Sequence, residues 1–280
     1  MRIGVITTSY PRSPEDPAGG FVRGLNLYLQ RQGHQVEVIA AGEVAAADSP
    51  AAARLSVDAD GIAVLRLPCA LFYRGGAPDA LSRGGAAALL AAAGFQARLL
   101  AAGAARVRRY DALISHWLLP SGLAAALCAA GRPHVAIAHS SDVHLLRRLR
   151  LGGLGRWLSR RARLVYTSAS LQLPGAPGVV VPMGVTVSEF AATAAQRAAA
   201  RRELGLLRPT VLALGRLVPV KGLDCLLAAL APLADVELLI AGDVLFYETI
   251  GRTDFPRGNH QDLIDNIRSK LLVLPDDTRV

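Results

Sequence analysis

Thr210-Val-Leu-Ala-Leu214 runs straight into Gly215-Arg216-Leu217-Val218-Pro219-Val220-Lys221-Gly222, and then into Leu223-Asp-Cys-Leu-Leu-Ala-Ala-Leu230. An almost wholly apolar run of this length reads as a buried parallel strand. The glycine-bearing stretch after it reads as a loop, and the apolar stretch beyond as a helix. Val236–Ile240 supplies a returning strand, so the segment is one βαβ unit. A strand, a glycine loop and a helix start in that order suit an anion, because free amides and the helix dipole point at it. Arg216 adds a planar fork to that loop and Lys221 a mobile point charge. The alternative for both is a pair of solvated loop cations.

Outward from this unit, apolar runs and helical stretches alternate through the N-terminal side of the chain. Strands are predicted at Arg2–Thr7, Gln35–Ala40, Ile62–Leu67, Ala112–Ser115, His134–Ala138, Leu164–Thr167 and Val179–Val181. Helices are predicted at Phe21–Arg31, closed by Gly33, at 79–94, at 96–109 and at Ser121–Ala130. His144–Arg163 reads as basic and helical, and Thr186–Glu203 as a helical connection. Apolar strands spaced by helices make a parallel sheet covered on both faces. The expected fold class is α/β. A doubly wound Rossmann-like domain covers 1–185, an incomplete second Rossmann-like domain begins over 186–243, and a tail covers 244–280.

With 280 residues there is material for two domains. Hydrophobic content is 52% with only 5% aromatic, so the core is made of Ala, Leu and Val. A net charge of +9 and a pI near 10.2 point to an anionic partner, such as a nucleotide or a phospholipid surface. Nucleic acid is the weakest candidate, because the arginines are spread over helical segments with little aromatic interleaving. Met1–Ile6 is too short for the apolar stretch of a signal peptide and turns polar at Thr7. The apolar window Ala86–Ala105 is interrupted by Gln96 and Arg98 and is not read as a membrane span. Cys69, Cys128 and Cys225 lack metal or disulfide spacing and read as small buried hydrophobes in a reducing compartment.

Gly215-Arg216-Leu217 with Lys221-Gly222 resembles the start of the C-terminal domain in retaining, GT-B-fold glycosyltransferases of the family 4 type. Thr7-Thr-Ser-Tyr-Pro11, Gly19-Gly20-Phe21-Val22-Arg23 and Gly33-His34-Gln-Val-Glu-Val38 are similar to that family's first strand, glycine loop and next strand. Asp111 with His116-Trp117 and Pro120, then His139-Ser-Ser-Asp142, then Val181-Pro-Met-Gly184-Val185, resemble three further segments. The resemblance covers most of 1–243. It implies a GT-B-like fold and a nucleotide-sugar donor, with no metal and no cofactor beyond that co-substrate. It implies that Arg216 and Lys221 hold the donor diphosphate, that Gly19 and Gly20 form a close-approach loop, and that His139 is the catalytic-site histidine. His116, Asp142 and Gly184 are further candidates, with structural roles as the alternative. A saccharide or lipid-linked acceptor is implied, and with it a cytoplasmic enzyme lying peripherally on the inner face of a membrane. Leucines and Trp157 among the arginines of His144–Leu151 and Arg156–Arg163 suit an anionic lipid surface; a solvated basic face is the alternative.

Composition breaks at Ala241-Gly242-Asp243. Alanine is about one residue in five before it and is absent from 244–280. The family pattern calls next for a glycine-rich segment and a Glu-x7-Glu element, but Glu248 has Pro256 eight positions on and cannot begin one. Instead Ala241-Gly-Asp-Val-Leu-Phe246, Gly251-Arg-Thr-Asp254, Leu263-Ile-Asp-Asn-Ile-Arg268 and Leu274-Pro-Asp-Asp-Thr278 are similar to the back half of metallo-β-lactamase-fold hydrolases of the glyoxalase II type. That resemblance implies Asp243 as a ligand of zinc or iron. One carboxylate cannot hold a catalytic metal, and His139-Ser-Ser-Asp-Val-His144 has the wrong spacing for the missing His-x-His-x-Asp-His loop. Asn259 reads as the N-cap of a helix over 260–272. The expectation is a chimeric chain, a truncated and impaired transferase carrying a hydrolase fragment. A metal-dependent hydrolase and a non-catalytic nucleotide-binding remnant are the alternatives.

Overall fold

The computed structural model describes residues 1–13, 16, 18–43, 53–73, 81, 85–184, 191–214, 221–241, 245–246 and 249–250. Arg216, Asp243 and the helix expected over 260–272 lie outside the described residues. The chain divides into two compact units, Met1–Gly184 and Val185–Val280.

The first unit is built on eight strands: β1 (Arg2–Ile6), β2 (Gln35–Gly42), β3 (Arg54–Val57), β4 (Ala63–Pro68), β5 (Ala112–His116), β6 (His134–Ala138), β7 (Arg163–Tyr166) and β8 (Gly178–Val180). Their order across the sheet is β3-β4-β2-β1-β5-β6-β7-β8. Every pairing is parallel except that of β3 with β4. The helices are α1 (Gly20–Arg31), α2 (Ala70–Tyr73), α3 (Ala86–Arg106), α4 (Leu123–Cys128), α5 (Ser140–Arg148) and α6 (Gly152–Ser159).

Successive strand residues face opposite sides, and the core divides accordingly. Ile3 and Val5, with Val36, Val38, Ala40 and Val64, pack against Val22 of α1 on one face. Ile6, Ile39, Ala41, Leu65 and Leu67 pack against Phe95 and Leu99 of α3 on the other. A third cluster joins Ala136, Ala138, Leu164 and Tyr166 to Val143 and Leu146 of α5 and Leu158 of α6. The sheet is therefore covered on both faces, as its continuous apolar strands require. Truncating Phe95 or Leu99 to Ala, each no more than 1% exposed, would cost about 3–5 kcal/mol.

Where the elements differ from the sequence reading, the reasons are local. Of the stretch read as two helices over 79–94 and 96–109, residues 79–80 and 82–84 lie outside the described residues. Beyond them one helix runs from Ala86 to Arg106, unbroken through Gly94 and Phe95 because Phe95 packs into the core, while Arg98 on its flank donates to the Pro68 carbonyl. With the following 3-10 turn, it is the one helix among the described residues long and apolar enough to cross a membrane. Its Phe95, Leu99 and Gly103 are buried. The helix expected from Ser121 begins at Leu123, after an irregular turn at Leu118–Gly122. The basic stretch is two helices, and its Arg163 already belongs to β7. Cys69 and Cys128 are buried as read, but Cys225 is exposed.

In the second unit, β9 (Thr210–Leu214) and β10 (Glu237–Ala241) pair in parallel on either side of α8 (Leu223–Leu230) in sequence. A helix α7 (Ala194–Glu203) precedes them, closed at its start by a capping box between Thr193 and Gln196. No residue of α7, β9 or α8 is buried. Leu245–Phe246 and Thr249–Ile250 form a two-residue antiparallel pair.

Candidate functional site

The strand order turns around at β1, which has β2 on one side and β5 on the other. In open parallel sheets, ligands bind in the crevice outside the carboxyl ends of the strands at such a reversal. Emerging there are Thr7–Tyr10 after β1, His116 and Trp117 at the end of β5, and His139 after β6. The loop after β1 is firmly tied. The buried Tyr10 ring donates its hydroxyl to Asp58 at 2.8 Å, and burial together with that carboxylate raises the phenol pKa well above its usual value. Asp58 also accepts from the backbone of Asp60 and Ile62, and Asp60 takes a two-pronged contact from Arg23 of α1. The loop, the 58–62 turn and α1 thereby form one connected network.

Gly19 closes the loop onto α1 at φ +76, and a Cβ there would lie 2.7 Å from the Ser9 carbonyl oxygen. Only glycine fits both the backbone angle and the close approach. Gly20, the first residue of α1, has no atom within 4 Å of a Cβ position, so open space lies above it.

His116 and His139 stand 23 positions apart, and the parallel pairing of β5 with β6 brings them together. Nδ1 of His116 lies 3.2 Å from Nε2 of His139, with the rings stacked 5.4 Å apart at 15°. The Phe21 ring, in the first turn of α1, comes within 4.9 Å of His139 and 5.7 Å of Trp117. The Trp117 ring is itself 4.9 Å from His139. Burial lowers the pKa of His139 to about 4, and burial assisted by its neighbour lowers that of His116 to about 3. Both imidazoles are neutral at physiological pH. His139 also stands at the positive end of α5, which disfavours its cation further.

Asp142, in the first turn of α5, is 3% exposed. Burial pushes its carboxyl up to about 7 against the pull of nearby amides, among them Leu118 and the first turn of α5. Its Oδ2 accepts from the Leu118 amide at 2.6 Å, while Oδ1 is buried without a partner among the described residues. That bond holds a strained neighbour. Trp117 has φ 67 and ψ 128, a conformation bulky residues avoid. It is fixed by its amide on the Ile137 carbonyl, by the Gly122 amide on its own carbonyl and by the Leu118–Asp142 bond. Backbone strain held from three sides is a mark of functional sites.

The first unit therefore gathers Gly19, Gly20, His116, His139 and Asp142 at one end of the sheet. Gly184 is not among them; it is exposed, with nothing near its Cβ position. In the second unit Lys221 is exposed directly before Gly222, which caps α8 at φ +64, and Asp224 occupies the first turn of that helix. Among the described residues no group of three or more His, Cys, Asp or Glu side chains is placed to hold a metal. The basic helices are partly committed to their own unit. Arg147 donates to the carbonyls of Ser170 and Gln172, and the Arg161 guanidinium lies 4.0 Å over the Trp157 ring. The sequence reading quotes Phe21 and Trp117 only as motif letters, and it misses Tyr10, Asp58, Asp60 and Arg23 as a network. Adjacency to the motif histidine and glycines was the signal available for the two rings.

Residues 18–194 match the family model of Glycosyltransferase Family 4. The crystal structure of an alpha,alpha-trehalose-phosphate synthase (UDP-forming) from Burkholderia vietnamiensis is similar, with a TM-score of 0.62 at 16% identity, over 96% of this chain and 68% of that one. So is that of Anabaena Alr3699/HepE in complex with UDP and glucose, with a TM-score of 0.56 at 16% identity, over 100% of this chain and 68% of that one. At such identities the likeness is one of fold, the GT-B architecture. A stretch of 44 residues is 57% identical to a probable metallo-hydrolase of Streptococcus pyogenes, which is 16% of this chain and 19% of that protein. The chain thus spans about a fifth of that curated relative, in keeping with the short resemblance read at 241–280.

Proposed function

Because this chain belongs to Glycosyltransferase Family 4, we propose that it moves a sugar from a nucleotide-diphosphate donor to an acceptor, with retention of configuration and without a metal. The observation that supports this most is the constellation at the strand-order reversal: the Gly19–Gly20 loop, the neutral His139, and the Phe21 and Trp117 rings beside it. Gly20 leaves space for a ligand to approach backbone, and the rings exclude water around the imidazole. On the donor side, Arg216 and Lys221 hold the diphosphate, Lys221 standing directly before the Gly222 cap of α8. Negative charge grows on that group as its bond to sugar breaks, so fixed cations there stabilise the transition state more than the ground state. The UDP-forming synthase and the UDP complex among the structural relatives make a uridine-diphosphate sugar the first donor to try.

The test is calorimetric titration with UDP-glucose. Lys221→Ala and Arg216→Ala should each weaken binding about tenfold or more, the loss of one charged contact. Unchanged affinity in both would remove the diphosphate assignment. The acceptor is read as a saccharide or a lipid-linked sugar, with the enzyme in the cytoplasm and peripheral to a membrane. Leu149 and Leu151, exposed beside the arginines of α5 and α6, support that placement. Sedimentation with anionic liposomes should therefore weaken on charge reversal at Arg147, Arg148 and Arg160. The short likeness to a metallo-hydrolase favours one rival, a metal-dependent hydrolase centred on Asp243. Stoichiometric zinc or iron in the purified protein would support that rival instead.

A further inference from the structure

We infer that His116 is a positioning residue: its ring N–H holds the proton of His139 on Nδ1, so that His139 meets a ligand as a hydrogen-bond donor. The geometry leaves few alternatives. Nδ1 of His116 and Nε2 of His139 are 3.2 Å apart, and two neutral imidazoles at that distance share one proton between them. Either His139 donates, and the proton of His116 then sits on Nε2. Or His116 donates, and its Nε2 carries only a lone pair.

The surroundings of His116 decide between these. It is 0% exposed, and its Nε2 is buried with no hydrogen-bond partner among the described residues. In the first arrangement a buried N–H is orphaned. In the second the orphan is an acceptor, and unused acceptors are tolerated in protein interiors more often than unpaired N–H groups. His116 is therefore the donor and His139 the acceptor through Nε2. A neutral His139 must then carry its own proton on Nδ1. Among the described residues, Nε2 of His116 is a buried atom without a partner and Nδ1 of His139 is not, while the hydrogen bond of the His139 side chain runs through Nε2 to His116. Nδ1 is thus the nitrogen left for a ligand or water.

No carboxylate among the described residues takes that proton. Asp142 directs Oδ2 to the Leu118 amide and its Oδ1 bonds neither imidazole, and the rings packed on the two imidazoles are Phe21 and Trp117, which do not titrate. The start of α5 beside His139 keeps the imidazole uncharged while sharpening its N–H as a donor. A neutral N–H at this point suits an oxygen acceptor, such as a hydroxyl of a pyranose ring. It does not suit removal of a proton. That consequence for the ligand rests on the transferase reading; the position of the proton does not.

The experiment is nitrogen-15 NMR of the histidine side chains in the full, ligand-free chain. His139 should show a protonated Nδ1 and a bare Nε2. In His116→Phe that pattern should be lost, and in His116→Asn, whose amide still donates, it should be kept. Binding of UDP-glucose should weaken about tenfold in His116→Phe, as for one lost hydrogen bond, and recover in His116→Asn. A wild-type His139 protonated on Nε2 would overturn the inference, as would a pattern unchanged in His116→Phe. If the phenylalanine variant does not fold, the wild-type and asparagine spectra still decide. A protein that shows the expected tautomer but binds no nucleotide-sugar would contradict the transferase reading and leave the role of His116 standing.

Discussion

The guanidinium of Arg66, on β4, donates to the carbonyl oxygens of Tyr10 (2.9 Å) and Pro11 and lies 5.6 Å from the centre of the Tyr10 ring. One side chain of the sheet thus holds both the backbone and the ring of the segment that leads to Gly19. A third contact, to the Ala41 carbonyl at 3.3 Å, ties the same group to β2. Arg66→Met keeps the aliphatic stem and removes the fork. We expect a loss of about 2–4 kcal/mol, since charged hydrogen bonds contribute about 1.5–3 kcal/mol each and do not add fully. Arg66→Lys should recover only part of it, because a point charge cannot serve several carbonyls at once. Urea unfolding of the three proteins measures this, and equal midpoints would show that the loop is held by other contacts.

Gly19 and Gly20 should respond oppositely to the same substitution. Alanine at Gly19 must take φ +76 with its Cβ 2.7 Å from the Ser9 carbonyl oxygen, so Gly19→Ala should lose about 1–3 kcal/mol. Gly20 is helical and its Cβ position is empty, so Gly20→Ala should be neutral or gain about 0.5–1 kcal/mol. If that empty space is where a ligand meets backbone, Gly20→Ala should nonetheless weaken UDP-glucose binding. A stable Gly20→Ala protein with full affinity would place the ligand elsewhere.

What could be read from the chain alone follows burial. β1, β2 and β6 were legible because strands of a parallel sheet are largely apolar and buried; β9 was legible from its apolar run alone, since none of its residues is buried. β3 was not, since Leu55 and Val57 are 57% and 68% exposed on an antiparallel edge and show no core-facing pattern. At the site, Gly19-Gly20 and His139 were legible as motif letters. The contact of His116 with His139 was not, because it arises from the adjacency of β5 and β6, a property of strand order. The strain at Trp117 was equally hidden, as nothing in a Trp-Leu-Leu-Pro sequence announces a positive φ. Cys225 misled because a cysteine in an apolar helix looks buried until the covering layer is known.

Among the described residues, the three core clusters fall within 1–184 and none draws on the second unit. A fragment of residues 1–184 should accordingly fold alone. Urea should unfold it in one cooperative transition, with a midpoint close to that of the first unit in the full chain. A fragment that binds hydrophobic dyes and unfolds without a cooperative transition would show that the first unit depends on the second.

Buried histidines and a buried aspartate should shape the pH dependence of the first unit in opposite directions. The folded pKa values of His116, His134 and His139 are near 3, 4 and 4, below the ordinary 6.5. The unfolded chain therefore takes up protons first as pH falls. The stability these three contribute is complete above pH 6.5 and is lost progressively toward pH 4. Asp142 works the other way. Its folded pKa near 7 exceeds the ordinary 3.8, so its contribution is complete below that lower value and is lost as pH rises through 7. Three groups outweigh one on the acid side, so stability should rise from pH 4 to about pH 7; above that the last unfolded-state histidine protons and the Asp142 proton leave together, and the curve should flatten. Asp142→Asn keeps an acceptor for the Leu118 amide and removes the carboxyl. From pH 4 to pH 8 its stability relative to the parent should improve by about 2–4 kcal/mol, the cost of ionising a carboxyl raised to about 7, reduced for relaxation around the buried charge. Urea unfolding of both proteins at the two pH values measures it. A difference that stays constant with pH would mean that Asp142 is ionised in the folded protein at both.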